Sequence, residues 1–222
     1  MGKIVILPET TLKPITLIGA RAGICYGSDV LNEEKNYNRG LQCIKDMHGR
    51  TLEFPDVHMV LDGYSARVIR EYYTHIGCLP TRLQASTRYI NYKNFEYIVP
   101  KSIENNSDAK LIYNTCMKMI GNSLKMLDDL RIPKEDIANI LPLGMTTKIV
   151  DKRNLRNLLD MSHQRKCTRA YWEFRELFKD IENALREYSD EWEWIVNNLF
   201  MSKCEFLGYC PEKNSCGWYS NK

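Results

Sequence analysis

Two periodicities alternate along this 222-residue chain. Apolar side chains at three- and four-residue steps mark helices, whereas strict alternation or short β-branched runs mark strands. The longest helical signal covers residues 108–130, where Leu111, Ile112, Cys116, Ile120, Leu124 and Leu127 share one stripe behind an Asn105-Asn106-Ser107-Asp108 cap region. Arg131-Ile132-Pro133 ends it, because the residue before a proline avoids the helical basin. Further helices are predicted over 33–47, 153–165, 168–188 and 190–200, and strands over 4–7, 57–63, 85–92 and 145–150. There is no internal repeat and no low-complexity linker, so the pattern predicts one α/β domain over 1–200 and a short Cys-bearing tail over 201–222.

Composition changes that picture little. A charged fraction of 27% and a hydrophobic fraction of 44% are ordinary for a soluble globular chain. No stretch approaches the roughly 18 apolar residues of a membrane span, and Ile4-Val5-Ile6-Leu7 is too short an apolar run for a secretion signal. The prediction is a cytoplasmic protein with no membrane partner. A net charge of +3 gives no argument for nucleic-acid binding. Without a secretion signal the eight cysteines are read as reduced thiols. Cys204, Cys210 and Cys216 form an even C-x5-C-x5-C array. Loose or packed thiols and a bound metal both remain readings of it, with the wide spacing and the missing histidine ligand against the metal.

The most informative chemistry lies in Thr81-Arg82-Leu83-Gln84-Ala85-Ser86-Thr87-Arg88-Tyr89-Ile90. On an extended strand Gln84, Ser86 and Arg88 project from one face as an amide, a hydroxyl and a guanidinium, a set suited to an anion. A polar outer face of a half-buried strand would read the same way. A second succession follows: Leu141-Pro142, a Thr-rich strand with Thr146 and Thr147, Asn154-Leu155-Arg156, His163-Gln164-Arg165, and Ala170-Tyr171-Trp172-Glu173-Phe174-Arg175. Together with the Ser-x-Arg-Tyr segment, and in this order and spacing, it resembles the flavin-dependent thymidylate synthases over residues 20–182.

That resemblance implies a sheet wrapped by helices, assembled as a homotetramer whose active sites form where subunits meet. It implies transfer of the methylene carbon of 5,10-methylenetetrahydrofolate to C5 of dUMP and its reduction by hydride that FAD takes from NADPH, giving dTMP. No cysteine nucleophile is implied, and no Pro-Cys dipeptide occurs. Carried over residue by residue, Gln84 falls near flavin and nucleotide, Ser86 faces the nucleotide, and Arg88 meets the dUMP phosphate or pyrimidine. Asn154 and Arg156 take the flavin-contacting Asn-x-Arg, and Asp160 a further flavin-side position. Arg165 takes the place of an arginine thought to favour ionisation of the pyrimidine N3, as a fixed cation does to a weak ring acid. His48 and Glu53 retain the first His and the Glu of a His-x-Ser-x-x-Glu-His pattern. Asn154 is equally placed to be a helix N-cap.

The departures are specific. An Arg-His-Arg run of the family falls, counted back without gaps, on Ile76, Gly77 and Cys78, with Thr74, His75 and Arg82 nearby as displaced replacements. A dUMP-contacting arginine before Leu-Pro is Ala138. Three readings follow: dUMP methylation, a related flavin and folate C5-alkylation of another pyrimidine nucleotide, and a non-catalytic nucleotide-binding homologue.

Overall fold

A four-stranded antiparallel sheet lies at the centre, in the spatial order β1 (Lys3–Ile6), β2 (Asp56–Ser65), β4 (Thr146–Asn154) and β3 (Thr81–Gln84). The structure is a computed structural model and describes residues 2–221. Alternation sorts the two faces. Val57, Met59 and Leu61 of β2 and Ile149 of β4 point inward, into a core closed by helices α1 (Pro14–Ile24), α2 (Glu33–Lys45), α3 (Ala66–Tyr72), α7 (Leu155–Arg165), α8 (Trp172–Tyr188) and α9 (Asp190–Leu199). The register aligns Val5, Val60, Val150 and Leu83 in one apolar row across the opposite face. Lys148–Asp62 and Lys152–Asp56 ion pairs flank that row.

Two glycine positions are dictated by geometry. Gly63 has φ +78° where the β2–β4 register shifts between Asp62 and Tyr64, a bulge that glycine enters without steric cost. Gly19 and Gly40 allow α1 and α2 to cross in backbone contact: a Cβ on Gly40 would stand 2.0 Å from the Ile15 carbonyl oxygen.

Four further helices are α4 (Lys101–Glu104), α5 (Ser107–Asp129), α6 (Lys134–Ile137) and α10 (Lys203–Leu207), and 3-10 turns span Gly49–Glu53 and Ala138–Ile140. Helix α5 forms where its pattern predicts, capped by the Asn106 side chain. Its stripe, however, is only half covered: Leu124 is buried and Ile120 and Leu127 are half-buried, whereas Leu111 and Ile112 are 69% and 65% exposed. Helix α10 opens on a Ser202–Glu205 capping box and packs on α7, and Cys210 of the tail is buried. The eight cysteines are free thiols, and among the described residues no three His, Cys, Asp or Glu side chains are grouped to hold a metal ion. Among the same residues no helix is long and apolar enough to cross a membrane.

The predicted strand over 85–92 is absent. β3 ends at Gln84, and the Ser86 hydroxyl accepts from the Arg88 N–H at 3.2 Å while the Ile90 N–H donates to the Ser86 carbonyl at 3.1 Å. This local side-chain turn outcompetes the sheet ladder. Helix α7 starts at Leu155 rather than 153, because β4 runs on to Asn154, and α8 starts at Trp172 rather than 168. Helices α1 and α3 have no counterpart in the sequence pattern. Pro14, Gly19 and Gly23 obscure α1, and α3 is short and follows β2 directly, capped by Ser65.

Candidate active site

Helix α7 and its cap supply Asn154, Arg156, Asp160 and Arg165. Asn154 is buried, and its Oδ1 accepts the Asn157 N–H at 3.0 Å, so it is the N-cap. Arg156 projects from the exposed side and donates from Nη1 to Glu53 Oε1 at 2.5 Å. The 3-10 turn Gly49–Glu53, which His48 precedes, lies against it: a Cβ on Gly49 would sit 3.6 Å from the guanidinium carbon. The hydrogen bond to Glu53 raises the Arg156 pKa, and the neighbouring Cys78 and Asp160 raise it further. Glu53, Arg156 and Asp160 therefore gather on one surface, with His48 at the start of the turn that carries Glu53. Exposed Met47 and Phe54 adjoin His48 and Glu53 in the chain, and exposed Ile76 lines a cleft with Asp160.

The loop carrying Ile76, Gly77 and Cys78 is held from beneath. Cys78 and Leu79 have φ of +58° and +52°, a conformation that costs non-glycine residues about 1–2 kcal/mol each. Asn157 Nδ2 fixes the loop by donating to the Gly77 carbonyl at 2.6 Å and the His75 carbonyl at 3.4 Å. Asn157 Oδ1 in turn accepts from Arg153 at 2.5 Å, Arg153 forks onto both oxygens of Asp151, and the Tyr72 hydroxyl donates to Asp151 at 2.9 Å. Both charged side chains are fully buried, so a satisfied polar chain runs from β4 to the loop.

Arg165 ends α7 and is held by the end of α3. Its Nε donates to His75 Nε2 at 2.8 Å, Nη1 to Glu71 at 3.3 Å and Nη2 to Thr74 at 3.5 Å, with the guanidinium 4.4 Å above the Phe174 ring. Burial, reinforced by Arg165, Arg153 and Arg82, pushes the His75 pKa down to about 4, so the ring is neutral and its Nε2 is an acceptor. Burial also lowers the Arg165 pKa, against the opposing pull of Glu71. Helix α3 is itself anchored at its N-terminus, where buried Glu173 accepts from the Ser65 N–H at 2.7 Å and the Ser65 hydroxyl at 2.5 Å. A cleft of about 330 Å³ between Thr74, His75, Asp160 and Lys203 shares His163 and Gln164 with a second, of about 400 Å³, that Arg165 lines.

Gln84, Ser86 and Arg88 stand elsewhere. Gln84 ends the edge strand on the helix-facing side and donates to Thr147 Oγ1 at 3.3 Å. Ser86 and Arg88 lie in the following turn, and Arg88 pairs with Glu135 at 3.4 Å. The three residues do not form a strand face, correcting the alternation argument. Lys134 donates to the Tyr89 carbonyl and, with Thr87, Lys93 and Ala138, lines a narrow cavity beside that turn. Of the displaced replacements, His75 and Thr74 meet Arg165, whereas Arg82 stacks on Tyr73 and donates to the Tyr73 carbonyl. Sequence reasoning missed Glu71, Asn157 as a loop anchor, and the Asp151–Arg153 pair. A signal existed for the last, since both occupy inward positions of a strand that alternates Thr147, Ile149, Asp151, Arg153.

The family described as thymidylate synthase complementing protein matches residues 7–189. The chain belongs to this family. A flavin-dependent thymidylate synthase of Nitratidesulfovibrio vulgaris is 26% identical, over 94% of this chain and 92% of that protein. One of Pyrococcus abyssi is 34% identical, over 59% of this chain and 55% of its own. A crystal structure of the flavin-dependent thymidylate synthase ThyX from Helicobacter pylori, complexed with FAD and dUMP, has the same fold, with a TM-score of 0.67 at 19% identity, covering 86% of this chain and 98% of that one. Membership of the thymidylate synthase family gives the clefts around α7 their context, since the matched segment contains His48, Gln84, Ser86, Arg88, Asn154, Arg156, Asp160 and Arg165.

Proposed function

We propose that this chain is a flavin-dependent thymidylate synthase that reductively methylates dUMP to dTMP, with 5,10-methylenetetrahydrofolate as carbon donor and FAD and NADPH supplying the reducing equivalents. The observation that carries the reading is α7, which brings Arg156 and Asp160 to one surface and Arg165, clamped and partly desolvated, to the adjoining cleft. Arg165 is the group that stabilises negative charge on the pyrimidine as it is activated. Two of the five N–H groups of a guanidinium stay open for a ligand when His75, Glu71 and Thr74 take one each.

The surface that carries Arg156 and Asp160, with His48, Met47 and Phe54 flanking its 3-10 turn in the chain and Ile76 in the cleft with Asp160, suits the polar edge and apolar faces of a flavin. We assign flavin contacts to His48, Gln84, Arg156 and Asp160, and indirectly to Asn154 as the cap that starts α7. Bound FAD supplies the hydride chemistry, and the protein orients rings and stabilises charge. Gln84, Ser86 and Arg88 are assigned to dUMP. They stand apart from Arg165 within one chain, and a homotetramer with sites between subunits reunites the two sets. Two apolar surfaces left exposed in the single chain support that assembly, the Leu111–Ile112 end of α5 and the Val5-Val60-Val150-Leu83 row. A dimer of dimers needs two distinct interfaces, and apolar patches are where such interfaces form. The reading includes a cytoplasmic location.

The replaced Arg-His-Arg positions favour a second reading, nucleotide binding without turnover or alkylation of another pyrimidine nucleotide. One experiment separates them. The purified protein should show a yellow flavin spectrum and convert dUMP to dTMP with methylenetetrahydrofolate and NADPH. A flavin-bound protein active only on another pyrimidine nucleotide would favour a changed substrate, and a colourless, inactive one would overturn the enzyme reading.

A further inference from the structure

From the clamp around Arg165 we infer that His75 is a positioning residue of the reaction, its Nε2 fixing the plane of the Arg165 guanidinium so that the open edge faces the pyrimidine. The inference rests on the reading of Arg165 as the pyrimidine-side cation and goes beyond it by naming what aims that cation.

The geometry is over-determined for a purely structural histidine. His75 is buried, stacks edge-on against Phe174 with centroids 5.6 Å apart, and its Nε2 takes the Arg165 Nε–H. Phe174 also supports the flat face of the same guanidinium. Glu71 and Thr74 touch the two Nη atoms from the same end of α3, so a single short segment contacts all three nitrogens of Arg165. Of these contacts the one to Nε is the shortest, and an arginine held at Nε cannot rotate its fork without breaking it. The backbone of His75 is fixed as well, since the amide of Asn157 donates to its carbonyl. A protonated imidazole would present a donor to a donor. Arg165, Arg153 and Arg82 disfavour that state, and burial holds the ring neutral at neutral pH. Planar recognition of a ring edge tolerates little error, because a misplacement of about 1 Å can cost on the order of a hundredfold in rate.

The test uses flavin-loaded protein and dUMP. His75→Phe retains the aromatic contact with Phe174 and removes the acceptor. His75→Gln offers its side-chain oxygen to Arg165. His75→Phe should lower kcat by about ten- to a hundredfold with a smaller change in KM for dUMP, and should move the limb of the pH–rate profile that reports pyrimidine ionisation to higher pH. His75→Gln should restore both in large part. A His75→Phe enzyme with wild-type kcat and pH profile, beside an impaired Arg165→Lys enzyme, would overturn the positioning role and leave the reading of Arg165 standing. If Arg165→Lys is also unimpaired, that reading fails and takes the inference with it. Should His75→Phe not fold, the wild-type protein decides. The Arg165 Nε–H resonance, assigned by its loss in Arg165→Lys, should be protected from solvent exchange at neutral pH, and a rapidly exchanging one refutes the clamp.

Discussion

Removing Asp151 alone should be far worse than removing Asp151 and Arg153 together. Neither side chain is exposed, the guanidinium forks onto the carboxylate at 2.5 and 2.8 Å, and it lies 4.0 Å above the Tyr72 ring. In Asp151→Leu the arginine keeps only its bond to Asn157 and the ring beneath it, and a buried, unpaired cation costs about 3–5 kcal/mol. For a chain of this length 1 kcal/mol corresponds to roughly 2–4 °C, so Tm should fall by about 6–20 °C. Asp151→Leu combined with Arg153→Met replaces the pair by apolar groups of similar reach and should recover most of that loss. The assay is urea and thermal unfolding of the two single variants and the double variant at one protein concentration, closed as a double-mutant cycle. If Asp151→Leu melts within about 2 °C of wild type, or the double variant is as unstable as the sum of the singles, the buried ion pair is not what sets the cost.

Arg165→Lys keeps a cation at the C-terminal end of α7 but loses the planar fork, so dTMP formation at saturating folate and NADPH should fall about a hundredfold while Tm stays nearly unchanged; equal turnover would refute planar recognition. Arg88→Ala should weaken dUMP binding, read by calorimetry, by about 1.5–3 kcal/mol, and wild-type affinity would remove Arg88 from the nucleotide site. Stability should decline as pH falls. His75 is neutral in the folded state down to about pH 4, whereas the unfolded chain takes up its proton near the ordinary histidine value. Acidification through that window therefore removes about 3 kcal/mol, and His75→Gln should flatten this part of the pH–stability curve. Gly40→Ala forces α1 and α2 apart, because its Cβ would fall 2.0 Å from a backbone oxygen that has nowhere to go, and should lower Tm more than an ordinary surface substitution; an unchanged Tm would mean the helices slide freely.

Hydrophobic period located the longer elements, because α2, α5, α7, α8 and α9 and strands β2 and β4 have enough residues to show it, and β1 showed as an unbroken apolar run. It failed where a short-range hydrogen bond decided the backbone, as at Ser86, and where glycine packing replaced an apolar stripe, as in α1. Arg156 and Asp160 were legible because they share a helix and spacing predicts a common face, although Asn154 proved to be the cap. Glu71 was not, and His75 showed only as a displaced replacement without its partner, since the clamp on Arg165 is a tertiary meeting of two helix ends that no local pattern encodes. The half-covered stripe of α5 shows the converse: periodicity reports that a face is apolar, not what covers it.

The sheet order has a consequence for how the protein comes to be made. β1 pairs with β2 across more than half a hundred residues, Asp56 at the start of β2 pairs with Asn154 at the end of β4, and β3 pairs with β4 as well. Among the described residues no strand is joined to its neighbour by a hairpin. A chain emerging from the ribosome therefore holds β3 without a partner, and β2 paired on one edge only, until β4 appears. Loop closure over such separations is slow, and exposed strand edges are sticky meanwhile. Synthesis arrested before residue 146 should yield a protease-sensitive, aggregation-prone fragment, and the last third of the chain sets the pace at which any working protein accumulates.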